Sequence, residues 1–420
     1  MRLAIDFEYT EKKPAVPLII YDFAEQEAEV ARNAGMPGLR IQYFRGPAWG
    51  KTREQIKKAI VEGINPISGK NVMTELVENL TKPLTAKEKE MGELKQDTGP
   101  ATYTGTAAEL QKLFLDKRYT DFLPVILPTE ELVDEMLKAT SHNPDDELGK
   151  MNPGSEAGET WTYTVKTAAI NAVMSGAKPE YFPVILAIGS AGSTAVNVSD
   201  NGFMAGAVIN GAIRNEIGLN YEIGAMGPYA LANTTIGRAW NLLSINGGNC
   251  GKVGTTYMGT VGNPMNLIDI IIAENEEKSP FKPLSVRRGF KPNENVVTLF
   301  MGWGVLSAKN WKADVWGPDM NYPKIIKDIY ETQDMMFGTC AVLSPPIADF
   351  VRDAGYKTVE EFTAYVTGAS AQPKPQPKSK FGGFRRGGNF TVVVTGATNN
   401  NYFSMGGMVP SRSIKIDDWR

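Results

Sequence analysis

The sequence predicts an α/β protein with a doubly wound, mostly parallel sheet, formed by a Gly/Asn-rich core domain and a small N-terminal βαβ unit. Short apolar runs, such as 17–22, 39–44 and 339–343, alternate with amphipathic helical patterns. Alternation of this kind is typical of parallel strands covered by helices. The composition is ordinary for a globular protein, since 42% of the 420 residues are hydrophobic and 22% are charged.

Residues 1–117 are predicted to form the N-terminal unit. A strand at 17–22, a helix at 24–35 and a second strand at 39–44 make the βαβ unit. The helix is expected to end at Gly35, because glycine and proline follow one another there. Further helical patterns complete the unit, at 53–62, 71–80 and 107–117.

Residues 118–368 are predicted to form the core domain, in which glycine and asparagine mark tight turns. Its predicted helices lie at 129–139, 162–176, 233–245, 323–336, 346–354 and 358–366, and its strands at 267–273, 295–301 and 339–343. Segment 369–389 is rich in Pro, Lys, Gly and Arg and predicts an extended linker. Residues 390–420 then return to the core with a strand at 390–395.

Because its charges nearly balance, the chain has no overall electrostatic field that would attract a highly charged partner. The chain carries 44 basic and 47 acidic residues, a net charge of −3, so we expect no nucleic-acid partner outside the basic segment 369–389. The first residues lack an apolar run long enough for a signal peptide, and no run reaches the length of a membrane span. We therefore expect a cytoplasmic protein with no membrane partner.

Histidine and cysteine are scarce, and this restricts the available chemistry. His142 is the single histidine and lies in a polar stretch, while Cys250 and Cys340 are the two cysteines. A Cys/His zinc site is excluded, and no metal ligands are predicted. Cys250 is interpreted as an inert thiol, since no paired histidine is there to activate it. Any catalysis must therefore use carboxylates, amides, arginines, a cofactor or a partner, and the sequence identifies no cofactor.

Carboxylates supply the candidate catalytic residues. Glu156 and Glu159 precede the helix near Tyr163 and could act as acid and base, although the same pattern also fits a helix-capping box. Glu274 follows the apolar run 267–273, where α/β proteins place functional groups. The alternative for Glu274 is an acidic turn.

Amides and arginines supply the candidate substrate-binding residues. Arg214 and Arg238 can each bind a carboxylate or phosphate in a bidentate fashion, and Asn210, Asn233 and Asn275 can contact a polar ligand. Two structural alternatives remain open. Asn233 could cap its helix, and Arg238 could pair with a carboxylate of the protein.

Several segments together resemble the UGSC-type (seleno)proteins, a family named for a tetrapeptide of selenocysteine or cysteine followed by Gly-Ser-Cys. The segments that carry the likeness are 34–41, 170–176, 178–183, Asn210-Gly211, Ile213-Arg214, Asn233, 235–238, 273–277, Ser279-Pro280, 398–400 and 416–420. The tetrapeptide itself is absent.

The resemblance implies that the redox cysteine or selenocysteine lies on a partner subunit. The chain would then be an oxidoreductase or lyase subunit of a hetero- or homo-oligomer, acting on a small organic molecule by reductive or thiol-assisted chemistry. The alternative is a non-catalytic binding or assembly component of a larger complex.

Overall fold

The structure is a computed structural model and describes residues 2–33, 35–46, 50–89, 102–151, 161–195, 204–251, 263, 269–302, 307–308, 320–332, 338–368 and 390–420. Helices and small mixed sheets occur together, so the predicted α/β class is confirmed. No helix in these ranges is both long and apolar enough to cross a bilayer.

The N-terminal unit contains two short parallel strands. Its elements are α1 (Arg2–Glu11), β1 (Leu18–Ile20), α2 (Ala24–Asn33), β2 (Gln42–Phe44), α3 (Arg53–Ile60) and α4 (Val72–Thr81). Arg40 fixes the unit, because its guanidinium pairs with both oxygens of Glu88 at 2.7 and 2.9 Å and donates to three backbone carbonyls. Because β1 and β2 are parallel and α2 lies between them, the βαβ unit predicted from the sequence is present. Helix α1 was not predicted.

A layer of helices follows. Its elements are α5 (Ala107–Asp116), α6 (Glu130–Leu137), the hairpin β3 (Glu147–Met151) and β4 (Trp161–Thr164), α7 (Val165–Ser175) and α8 (Phe182–Ser190). The predicted helix at 162–176 was wrong at its start, since residues 161–164 pair with β3. Thr164 caps α7, and Gly176 ends it with a left-handed φ of 81°.

The first sheet has the strand order β12-β7-β5-β6. Its strands are β5 (Met204–Asn210), β6 (Ile270–Ala273), β7 (Val296–Gly302) and β12 (Met408–Lys415). The short helix α9 (Ile213–Glu216) and the long helix α10 (Leu231–Gly248) connect β5 to β6, which run parallel. The short helix α11 (Leu284–Arg287) lies between β6 and β7 along the chain. Strand β7 is antiparallel to both β5 and β12.

The second sheet has the order β10-β9-β11-β8. Its strands are β8 (Ser307–Ala308), β9 (Thr339–Leu343), β10 (Phe390–Val394) and β11 (Phe403–Gly406). Only β9 and β10 are parallel within it, and β11 is antiparallel to β9 and to β8. The mixed α/β class therefore holds. The prediction of a mostly parallel sheet was wrong for the described strands, because β7 and β11 each run antiparallel to both of their neighbours. The doubly wound arrangement stays a prediction.

The two sheets face each other across an apolar layer. In β5 and β6, Ala207, Ile209 and Ile271 pack toward the helix layer, whereas Val208 and Ile272 pack against β9 and β10. Strands buried on both faces carry nearly continuous apolar sequence, which explains the apolar residues of β6. The outer face of the second sheet packs against its own helices, α12 (Tyr322–Thr332), α13 (Pro345–Asp353) and α14 (Val359–Val366).

Candidate functional site

Polar side chains meet where the parallel strands β5 and β6 end. The register pairs Ile209 with Ala273, so Asn210 and Glu274, the next residues, lie side by side at the carboxyl edge. This edge is where open α/β sheets commonly bind ligands. We call the group at this edge the polar cluster, and its members are Asn210, Arg214, Glu274, Asn275, Glu276, Glu277 and Arg287.

Glu274 is a fully buried carboxylate at the centre of the cluster. Its Oε2 accepts hydrogen bonds from Asn210 Nδ2 at 2.6 Å and from the Leu284 amide at 2.7 Å. Arg287 Nη2 lies 4.0 Å from Oε1. Burial raises the pKa of Glu274, while Arg287, Asn210 and the Leu284 amide oppose that shift by favouring the charged form. The protein thus supplies the partners that a substrate would otherwise provide.

Arg214 is also buried, and its N–H donors also bond to other groups of the protein. Its guanidinium pairs with both oxygens of Glu277 at 2.9 and 3.1 Å. It also donates to the carbonyls of Gly211 and Glu274, and Glu276 Oε1 lies 3.3 Å from Nε. The Arg214 hydrogen bond lowers the pKa of Glu277. The bidentate pairing expected with a ligand is therefore made with a residue of the protein itself.

Asn275 connects the two sheets. Its amide donates to the Val394 carbonyl at 2.8 Å, and its Nδ2 donates to the Gly396 carbonyl at 3.0 Å. Thr395 adds a hydrogen bond to the Ala273 carbonyl at 2.8 Å. The carboxyl ends of β6 and β10 are thereby held together, and the side chain predicted to bind substrate is used in this junction.

Asn233 and Arg238 lie on α10, away from the centre of the cluster. Asn233 Nδ2 donates to the Ile271 carbonyl at 3.0 Å, and the helix begins after Ala230, so Asn233 does not cap it. Arg238 makes a bidentate pair with Asp121 at 2.8 and 2.9 Å. For Arg238, the structural alternative is the one observed.

The structure thus brings four of the eight predicted site residues together, and these are Asn210, Arg214, Glu274 and Asn275. Glu156 and Glu159 lie outside the described residues. A small cavity lies elsewhere, between the two sheets. It measures about 10 Å³, the size of a single water, and its lining is apolar.

No protein-family model matches this chain, and no curated protein matches it. The interpretation of the site therefore depends on its geometry.

Asp269 is a further buried acid that the sequence did not single out. It immediately precedes β6 with a left-handed φ of 47°, and neither carboxylate oxygen has a hydrogen-bond partner in the part of the chain that the structure describes. Burial raises its pKa well above the usual range, and the nearby Ala205 amide offsets this only in part. The available signal was an acidic residue interrupting the apolar run 267–273.

Histidine and cysteine play structural parts in the described ranges. The His142 ring stacks on Trp419 with 4.7 Å between centroids, and its Nε2 lies 2.9 Å from the Asp418 carbonyl. Cys250 and Cys340 are both buried, and burial raises the pKa of the Cys340 thiol to about 12. Among the described residues, no group of three or more potential ligands could hold a metal ion.

Proposed function

We propose that the chain is a cytoplasmic, non-catalytic assembly subunit of a multi-subunit enzyme that acts on a small organic molecule. The observation that carries this proposal is the internal pairing of the polar cluster. Arg214 is paired with Glu277, and Glu274 is paired with Asn210 and the Leu284 amide. Catalytic groups need hydrogen-bonding capacity that is free to contact a substrate, whereas these groups already bond to other strands and loops of the protein.

The free-energy cost of displacing these internal partners supports the same proposal. A ligand carboxylate could reach Arg214 only by displacing Glu277, and each charge-assisted hydrogen bond lost contributes about 1.5–3 kcal/mol. Asn275 Nδ2 could donate to a ligand only by releasing the Gly396 or Tyr221 carbonyl, which would weaken the junction at the carboxyl ends of β6 and β10. Binding at the cluster would therefore oppose the fold.

The chemistry is assigned to a partner. A thiol with a pKa near 12, such as that of Cys340, is almost entirely protonated at neutral pH and is a poor nucleophile. The resemblance to the UGSC-type family supports a partner that carries the redox cysteine or selenocysteine. The enzyme would then be an oxidoreductase or a lyase whose reaction is reductive or thiol-assisted.

The test is purification of the tagged chain from its source organism at low ionic strength, followed by native mass spectrometry. The proposal predicts a heteromeric species whose second chain is alkylated by iodoacetamide faster than Cys250 or Cys340. The free tag serves as the control. Recovery of the chain alone, with a stoichiometric small molecule bound, would refute the proposal.

A second candidate function is catalysis by this chain, with Glu156, Glu159 and Glu274 in the roles predicted from the sequence. The observation that favours it is Asp269, since buried acids with raised pKa values concentrate at catalytic sites. Once the activity of the assembly is known, Asp269→Asn discriminates between the two. Loss of turnover with the assembly intact supports catalysis here, and unchanged turnover supports the assembly role.

A further inference from the structure

An apolar surface lies beside the N-terminal half of α10, and we infer that two copies of this chain associate through it as a twofold symmetric dimer. We call this surface the apolar patch. Its exposed side chains are Phe122, Leu123, Ile126, Ile223, Tyr229 and Leu231. The inference goes beyond the proposed assembly role by naming a partner surface and its occupant.

Loop 121–126 is fixed along α10, so its apolar residues form one surface with the helix. Arg238 holds the loop by pairing with Asp121 and donating to the Pro124 carbonyl at 2.8 Å. Nearer the start of the helix, Ile126 and Thr235 both lie next to Gly176. Their side chains are each 4.0 Å from where a Cβ on Gly176 would lie. Leu231 is one helical turn before Thr235, which places it beside Ile126.

Loop 220–229 continues the surface at the start of α10, since Tyr229 is two residues before Leu231 and Ile223 adjoins Gly224, which lies against the Tyr229 ring. Asn233 Oδ1 accepts from the Asn220 amide at 2.8 Å and fixes the start of this loop to the helix. The Tyr229 ring lies against the backbone of Gly224 and Gly227, where a built Cβ would fall 2.5 and 2.4 Å from ring carbons. The Cδ2–Cε2 edge of the ring is therefore covered, while most of the residue stays exposed.

Phe122 combines an exposed aromatic side chain with a left-handed backbone conformation. Its φ of 66° is in the left-handed region, which a bulky residue rarely occupies, and its side chain is 71% exposed. The Phe122 amide donates to Thr120 Oγ1 at 3.1 Å, which holds this conformation. Strained backbone conformations concentrate at functional sites. Exposed aromatic side chains commonly anchor interfaces, so an interface role accounts for both features of Phe122.

The size of the patch fits a dimer interface. Phe122 and Ile223 are each 71% exposed and Tyr229 is 76% exposed. With ordinary side-chain areas, the six residues expose on the order of 500 Å² of apolar surface. A standard interface buries about 800 Å² per partner, of which about 60% is apolar. The patch therefore supplies the apolar share of one such interface.

Flanking charges identify the occupant as a second copy. Exposed bases, Lys117 and Arg118, adjoin Tyr119, whose carbonyl accepts from Asn246 Nδ2 at 3.0 Å in the C-terminal half of α10, whereas exposed acids follow Ile126, which lies nearer the helix start. These acids are Glu130, Glu131 and Asp134. A twofold axis through the patch sets the basic end of one copy against the acidic end of the other, so the surface is complementary to itself.

The test is sedimentation velocity on the purified chain, from submicromolar to tens of micromolar. The wild type is expected to dimerise, and the double variant Phe122→Ser with Tyr229→Ser is expected to weaken the dimer by about 100-fold or more. The matched control is Ile64→Ser with Ile67→Ser, which removes two exposed residues of the N-terminal unit and leaves dimerisation unchanged.

Charge reversal tests the twofold arrangement. Lys117→Glu with Arg118→Glu is expected to weaken the dimer, and adding Glu130→Lys with Glu131→Lys is expected to restore it. A monomeric wild type, a dimer insensitive to the Phe122 and Tyr229 changes, or failure of the second charge pair to restore association would overturn the inference. Because this test uses the chain alone, its failure is separate from failure to find a catalytic partner.

Discussion

Replacing Arg214 with Met tests whether the polar cluster is structural. The change keeps the length and apolar character of the stem and removes the guanidinium. Removing one partner from a fully buried ion pair costs about 3–5 kcal/mol. Glu277 is 51% exposed and can be hydrated after the loss, so we expect a smaller loss of about 2–4 kcal/mol in the free energy of unfolding.

Urea denaturation followed by circular dichroism and tryptophan fluorescence measures this loss. The matched control is Arg352→Met, which removes a partly exposed arginine paired with Asp349 and Asp353, and its effect should be small because solvent screens these pairs. Arg214→Lys should fall between the two, because lysine keeps the charge but not the bidentate geometry. A loss for Arg214→Met as small as that of the control would refute the structural role.

Three further predictions concern titrating groups. The folded pKa of Asp269 is raised above its ordinary value of 3.8. The stability associated with its neutral form is therefore complete below that value and is lost as the pH rises through the folded pKa. Asp269→Asn should be more stable than the wild type at pH 8 and about equal at pH 3.5 in urea titrations; lower stability at pH 8 would contradict this. The Arg40 hydrogen bond lowers the pKa of Glu88 from 4.5 to about 2, so its contribution is present above pH 4.5 and is lost as the pH falls through about 2. Glu88→Gln should therefore destabilise the N-terminal unit, measured by hydrogen exchange, more at pH 7 than near pH 2, and equal effects would show that the ion pair is not responsible. Cys340, buried and with a pKa near 12, should resist iodoacetamide at pH 8 until the chain is unfolded; rapid labelling of the native protein would show an accessible thiol.

Apolar periodicity identified most helices and several strands of the fold. The strand predicted at 339–343 matches β9, and the run 267–273 contains β6. Helix α8 was missed because PVILAI within it is apolar all round, so no helical face stands out. Strand β5 was missed because its sequence, MAGAVIN, contains glycine and small residues that do not favour strands.

Half of the site could be anticipated, because Glu274 follows an apolar run, where topology places functional groups, and Asn210 is a polar side chain at a glycine-rich turn. Asn210 and Glu274 were each selected from sequence, and the parallel register places them side by side. Their pairing could not be anticipated, since residue types do not reveal partners distant in sequence. Arg238 shows this most clearly, because its carboxylate partner, Asp121, is 117 residues away along the chain.

The most direct test of the central claim is a high-resolution cryo-EM map of the assembly isolated from its source organism. The account predicts that Arg214 remains paired with Glu277 and that Glu274 remains bonded to Asn210 and the Leu284 amide, with no ligand density at the polar cluster. A small molecule bound to Arg214 or Glu274, with Glu277 displaced, would contradict it.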